Sequence, residues 1–63
     1  MPYQIKEARA ELHMTQEELA RISGVSRATI SGLESGSVRI TTTETLIKLA
    51  NALGKTVSEI FLP

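Results

Sequence analysis

Residues 16–34 of the chain read QEELARISGVSRATISGLE, and the placement of apolar positions in that stretch decides what the chain can become. In its first half Leu19, Ala20 and Ile22 recur in the three- and four-residue steps of an α-helix. Thr15 stands just ahead, with a hydroxyl oxygen able to cap the first free backbone amides. Glu17 and Glu18 occupy the first turn, where the helix dipole favours negative charge. Ser23, Gly24 and Val25 break the periodicity, and Gly24 can take the left-handed conformation that ends one helix and redirects the chain. Ser26 is placed to cap a second helix over residues 27–33, with Ile30 and Leu33 on one side and Arg27, Ala28, Ser31 and Gly32 elsewhere. Helices this short do not persist alone, so they must pack on one another and on neighbours. The methyl side chain of Ala20 permits a close, steep approach, to which Val25, Ile30 and Leu33 bring apolar contacts.

Two helices joined by such a turn form a helix-turn-helix, whose second helix can be presented to a DNA major groove. A helical hairpin whose Ala and Gly serve packing alone has the same local pattern. The spacing of Gln16, Ala20, Gly24, Val25, Ile30 and Leu33 resembles that of the Cro and phage-repressor (Xre-type) family, and the resemblance extends from about Ile5 to Phe61. It implies an all-α, lambda-repressor-like fold: a compact bundle of five short helices, forming one domain over residues 1–63, with the motif at the second and third helices. It further implies a sequence-specific DNA-binding transcriptional regulator, a homodimer that inserts the helix at 26–34 into a palindromic operator. The alternative is an antitoxin-like protein that binds a toxin partner and autoregulates its operon.

The composition limits the other classes. A chain of 63 residues buries only about 60% of the surface that it exposes unfolded, so a partner or second copy would add usefully to its stability. There is no Cys, hence no disulfide and no thiolate metal site. No apolar run approaches the roughly 18 residues needed to span a bilayer, and no signal-peptide core is present. These features fit a soluble, cytoplasmic protein with no membrane partner. Seven Lys and Arg balance seven Asp and Glu, unlike the basic surplus of a strong DNA binder. The placement of charge is more favourable than its sum, since Arg27 and Arg39 flank the second motif helix while Glu7, Glu11, Glu44 and Glu59 fall in other helices. The sequence-independent part of any DNA affinity should then be smaller than in a basic domain, with discrimination leaning more on base contacts and dimerisation. No paired carboxylates lie near a His, no Gly-rich phosphate loop precedes a helix, and no metal-ligand spacing occurs, so neither an enzyme nor a cofactor is expected.

Outside the motif, Ile5, Ala8 and Leu12 predict a first helix within residues 1–13, with Pro2 and Tyr3 suited to its start. Arg9 lies beside that apolar stripe, and a cation there needs a partner if buried. By resemblance to the family, Arg9 and Glu34 form a structural ion pair between the first and third helices; a solvated surface arginine is the other reading. His13, the single histidine, closes the first helix, and Met14 serves core or loop packing. Ser35 and Gly36 read as the stop of the third helix. A hydroxyl-rich loop follows over residues 37–42. Either Thr41 with Glu44 as a capping box, or Thr42 alone, begins the fourth helix. Leu46, Leu49, Ala50 and Leu53 form its apolar face, Ile47 points partly away, and Gly54 ends it. Thr56 caps a last helix over residues 57–61 with Glu59 in its first turn. Either Ile60 or Phe61 fills the core there, and Phe61 and Leu62 are candidates for a dimer interface.

A recognition helix reads bases with the outward side chains near its N-terminus, here Arg27, Ala28 and Ser31. Arg27 can give two hydrogen bonds to a guanine and Ala28 can touch a thymine methyl. The resemblance assigns phosphate contacts to Thr15, Gln16, Ser35, Arg39 and Thr42, and the N-cap Ser26 joins them as a sixth candidate. Gly32 departs from the family, which usually carries a long polar or aromatic residue there. Glycine inside a helix costs about 1 kcal/mol relative to alanine, so the backbone at Gly32 should approach DNA or another chain unusually closely, or the helix reads few bases.

Overall fold

In the computed structural model, which describes residues 3–38 and 41–61, five helices follow one another: α1 (Ile5–Glu11), α2 (Gln16–Ser23), α3 (Arg27–Ser35), α4 (Thr43–Leu53) and α5 (Val57–Ile60). Among the described residues there is no strand. The all-α architecture and the placement of the motif at α2 and α3 agree with the sequence reading. α2 packs on both α3 and α4, α1 lies across α3 and α4, and α5 rests on α4. One apolar core results, with Ile5, Leu19, Ile30, Leu33, Leu49 and Ile60 as its largest fully buried side chains. No polar residue is fully buried among the described residues.

Local chemistry sets the helix ends. Thr15 accepts a hydrogen bond from the Glu18 N–H while the Glu18 carboxylate accepts one from Thr15 N–H, a capping box that starts α2. Ser26 and Thr42 cap α3 and α4 by accepting from Thr29 N–H and Thr45 N–H. For α4, then, the cap is Thr42 and not Thr41. Thr56 and Glu59 form a second capping box at α5. Gly24 closes α2 at φ 76°, where a side chain would be strained, and donates its N–H to Ala20 O at 2.9 Å. α3 runs to Ser35, two residues past the expected end at 33, before Gly36 stops it.

α1 is shorter than residues 1–13. At its start Gln4 N–H donates to Ile60 O at 2.7 Å and the Tyr3 ring lies 4.9 Å from that of Phe61, so the entering chain is tied to α5 and kept out of the helix. At its end His13 takes a left-handed conformation, φ 53°. His13 N–H donates to Ala10 O and Met14 N–H to Arg9 O, the paired bonds that satisfy a helix's last carbonyls. Leu12, expected on the apolar stripe, is 49% exposed because the helix has already ended. Ile22 is 51% exposed. The inward arc of α2 is Gln16, Leu19, Ala20 and Ser23, and Ile22 lies outside it. At the C-terminal end Ile60 is in the core, whereas Phe61 stays half exposed against Tyr3. Pro2, Arg39 and Leu62 lie outside the described residues.

Gly32 corrects the sequence reading most sharply. It is buried, not outward, and the neighbour is Val38 of the same chain. A methyl group at position 32 would overlap the Val38 Cγ2 and lie 3.1 Å from its Cβ. The Val38 N–H also donates to Gly32 O at 3.0 Å, which holds the returning loop against the helix. The glycine is therefore accounted for by an intrachain contact.

Gly32→Ala should lower stability by up to about 2 kcal/mol in urea unfolding, since overpacking costs about 1–3 kcal/mol and about 1 kcal/mol returns in helix propensity. Adding Val38→Ala should make the double variant at least about 1 kcal/mol more stable than the sum of the single effects; strict additivity would mean that the two positions do not meet.

Candidate nucleic-acid interface

One constellation links three helices through a single carboxylate. Arg9 donates from Nε to Glu34 Oε2 at 2.8 Å and from Nη2 to Glu34 Oε1 at 2.9 Å, a two-pronged pair. Its Nη1 donates to Met14 O at 2.7 Å. Gln16 adds a third donor to the carboxylate, Nε2 to Glu34 Oε1 at 3.0 Å. The Arg9 and Glu34 side chains are only 15% and 6% exposed, so Arg9 is no solvated surface arginine. Burial raises the Glu34 pKa, but the hydrogen bonds from Arg9 and Gln16 and the Arg9 charge outweigh it and hold the carboxyl below its ordinary range. The same hydrogen bond raises Arg9, against its partial desolvation.

This pairing settles which way the Gln16 amide faces. A carboxylate only accepts, so the NH₂ group must point at Glu34. Its second N–H and its Oε1 have no protein partner among the described residues. Gln16, assigned from sequence to a phosphate, thus sits half-buried at the start of α2 and is braced from beneath by Glu34. Thr15 uses its hydroxyl oxygen as the α2 cap. Among the described residues the backbone N–H groups of Gln16 and Glu17 remain unpaired, as donors at a helix N-terminus do until water or an anion takes them.

On α3, Arg27, Ala28, Ser31 and Ser35 are all exposed and fall on one arc by their three- and four-residue spacing, while Ile30 and Leu33 face the core. Thr15, Gln16 and Arg27, from the N-terminal ends of α2 and α3, line one groove of about 680 Å³ together with Arg9, His13, Met14 and Glu17. The structure thus brings Thr15, Gln16 and Arg27 together. Three other assigned hydroxyls are already engaged. Ser26 Oγ donates to Thr29 Oγ1 at 2.8 Å, and Ser35 Oγ donates to Gly32 O at 3.3 Å and meets Ser37 Oγ at 3.0 Å. Thr42 Oγ1 meets Thr45 Oγ1 at 2.9 Å besides capping α4.

One residue at this surface escaped the sequence reading. Glu17, read there only as a dipole partner, accepts a hydrogen bond from Arg27 Nη1 at 3.2 Å. Side chains three or four apart on one helix are expected to meet. Ten positions across a turn carry no such rule, so only the crossing of α2 and α3 could reveal this pair.

Among the described residues no helix is long and apolar enough to cross a membrane. In comparisons with known proteins, a helix-turn-helix family model matches residues 5–60. The chain is 40% identical, over 62 residues, to an uncharacterized HTH-type transcriptional regulator of Archaeoglobus fulgidus; the match covers 98% of this chain and 86% of that one. No solved structure matches with comparable significance.

Because the folded pKa of Glu34 is depressed, the stability it contributes is complete above the ordinary glutamate value and is lost as pH falls through the folded value. Arg9 stays charged throughout. Glu34→Gln should cost about 1–3 kcal/mol near pH 7, and that penalty should shrink in chemical denaturation series taken below about pH 4.5. A penalty that stayed constant down to pH 2 would remove Glu34 from the acid limb.

Proposed function

The chain belongs to the Cro and phage-repressor (Xre-type) helix-turn-helix family, and from that premise we propose that it is a sequence-specific, DNA-binding transcriptional regulator that acts as a homodimer. In this reading α3 enters the major groove of a palindromic operator and Arg27, Ala28 and Ser31 meet the base edges. Thr15 and Gln16, with the free amides at the start of α2, take the phosphate backbone. Ser26, Ser35, Arg39 and Thr42 are further phosphate contacts, those of Ser26, Ser35 and Thr42 requiring their hydroxyls to leave the partners described above. Phe61 and Leu62 belong to the contact between copies.

The observation that carries the proposal is the groove shared by Thr15, Gln16 and Arg27. Phosphate-seeking donors and a base-reading side chain occupy one continuous surface, with a rigid carboxylate brace behind Gln16. The half-exposed Phe61 on Tyr3 supports an apolar contact between copies near the end of α5. No catalytic role is proposed. An antitoxin-like role keeps the zero net charge as its support. Gly32 no longer adds to it, because Val38 occupies the space beside the helix.

Selection of bound sites from random duplexes, with the mass of the complex measured in parallel, tests this reading. The expected product is an inverted repeat with half-sites about 34 Å apart and two chains per site. Arg27→Ala should lose about 1–3 kcal/mol of discrimination at one base pair of each half-site. Equal binding to the selected and a scrambled duplex at the same salt concentration would overturn the proposal.

A further inference from the structure

We propose that Glu17 is a positioning residue for Arg27, and that the pair raises the ratio of specific to non-specific DNA binding; this rests on the reading of α3 as the helix that meets the bases. Arg27 is the first residue of α3 and Glu17 the second of α2. Their side chains are 62% and 77% exposed, so packing fixes neither. What orders the guanidinium is the bond to Glu17, its one side-chain partner among the described residues. Glu17 is well placed to serve. Its neighbour Glu18 is turned back into the capping box with Thr15, which anchors the backbone of the first turn of α2 and leaves Glu17 as the acid facing α3. A single Nη1–H is used in the bond, and the guanidinium keeps its remaining N–H donors for a guanine edge. A side chain held before binding loses less freedom on docking.

The same carboxylate stands beside the free amides at the start of α2, where the proposed phosphate would lie. A negative charge there weakens attraction to any duplex regardless of sequence. Glu17 therefore acts in two ways with one sense: it subtracts from the binding that every duplex shares and helps the binding that depends on the base opposite Arg27. Exposed pairs of this kind have small energies, so the effect is on selectivity and not on folding.

The test is a two-by-two set: the full chain, Glu17→Gln, Arg27→Ala and the double variant, each titrated with the selected site and with a scrambled duplex across a salt series. Glu17→Gln should tighten binding to scrambled duplex about two- to five-fold, tighten binding to the selected site less, and steepen the salt dependence. The specificity ratio should fall accordingly. With Arg27 already replaced by Ala, Glu17→Gln should leave that ratio unchanged. If Glu17→Gln strengthens both duplexes equally in both backgrounds, Glu17 is only a local charge and the proposal is overturned. If the unmodified chain shows no preference for the selected site, the reading of α3 fails first and this inference falls with it. Far-ultraviolet circular dichroism of each variant confirms that the helices are retained.

Discussion

A largely buried cation and a nearly buried carboxylate, Arg9 and Glu34, set the frame in which the other parts of this small protein work. Two charges withdrawn from water are costly unless their hydrogen-bonding capacity is met. Here the guanidinium gives two bonds to the carboxylate and one to Met14 O, and Gln16 gives the carboxylate a third donor. Apolar contacts alone would allow short helices to slide or rotate against each other, since burial has no direction. The two-pronged pair is directional, and it joins the last turn of α1 to the last turn of α3. It therefore fixes the rotation of α3 about its own axis, and with it which residues look outward. Because Gln16 hangs on the same carboxylate, the start of α2 is referred to the same origin.

The charges elsewhere follow a pattern consistent with zero net charge. Arg27 is met by Glu17, Lys48 by Glu44 and Lys55 by Glu11. Cations matched in this way attract polyanions more weakly than free ones do. The far end of α3 is shaped by packing in place of charge. Gly32 removes a side chain so that Val38 can lie against the helix, and the hydroxyls of Ser35 and Ser37 turn toward the Gly32 carbonyl. That closure orders the chain up to Val38, on the way to the loop that the family resemblance assigns to the phosphate backbone.

Much of this was legible in the linear chain because the relevant physics is local. Caps at Thr15, Ser26 and Thr56, the left-handed stop at Gly24 and the apolar faces of α3 and α4 depend on residues within one or two turns of one another. Leu12 and Ile22 were misread for a different reason. Periodicity locates a stripe but not the point where a helix ends or the exact arc its neighbours cover, and both residues sit at helix ends. The resemblance to a known family supplied Arg9 and Glu34, which composition and spacing alone left open between a pair and a solvated arginine.

The amino-acid order determined the number of helices, the ends of most of them, and the identity of the motif, because hydrogen bonds to caps and the burial of a periodic face are decided over a few residues. Only the tertiary structure decided which separate groups meet: Val38 against Gly32, Glu17 against Arg27, Gln16 on the Glu34 carboxylate, and Ile60 in place of Phe61 in the core. These contacts depend on the angles at which helices cross. Those angles are set by the shapes of all the packed side chains at once, a quantity that no short window of sequence contains.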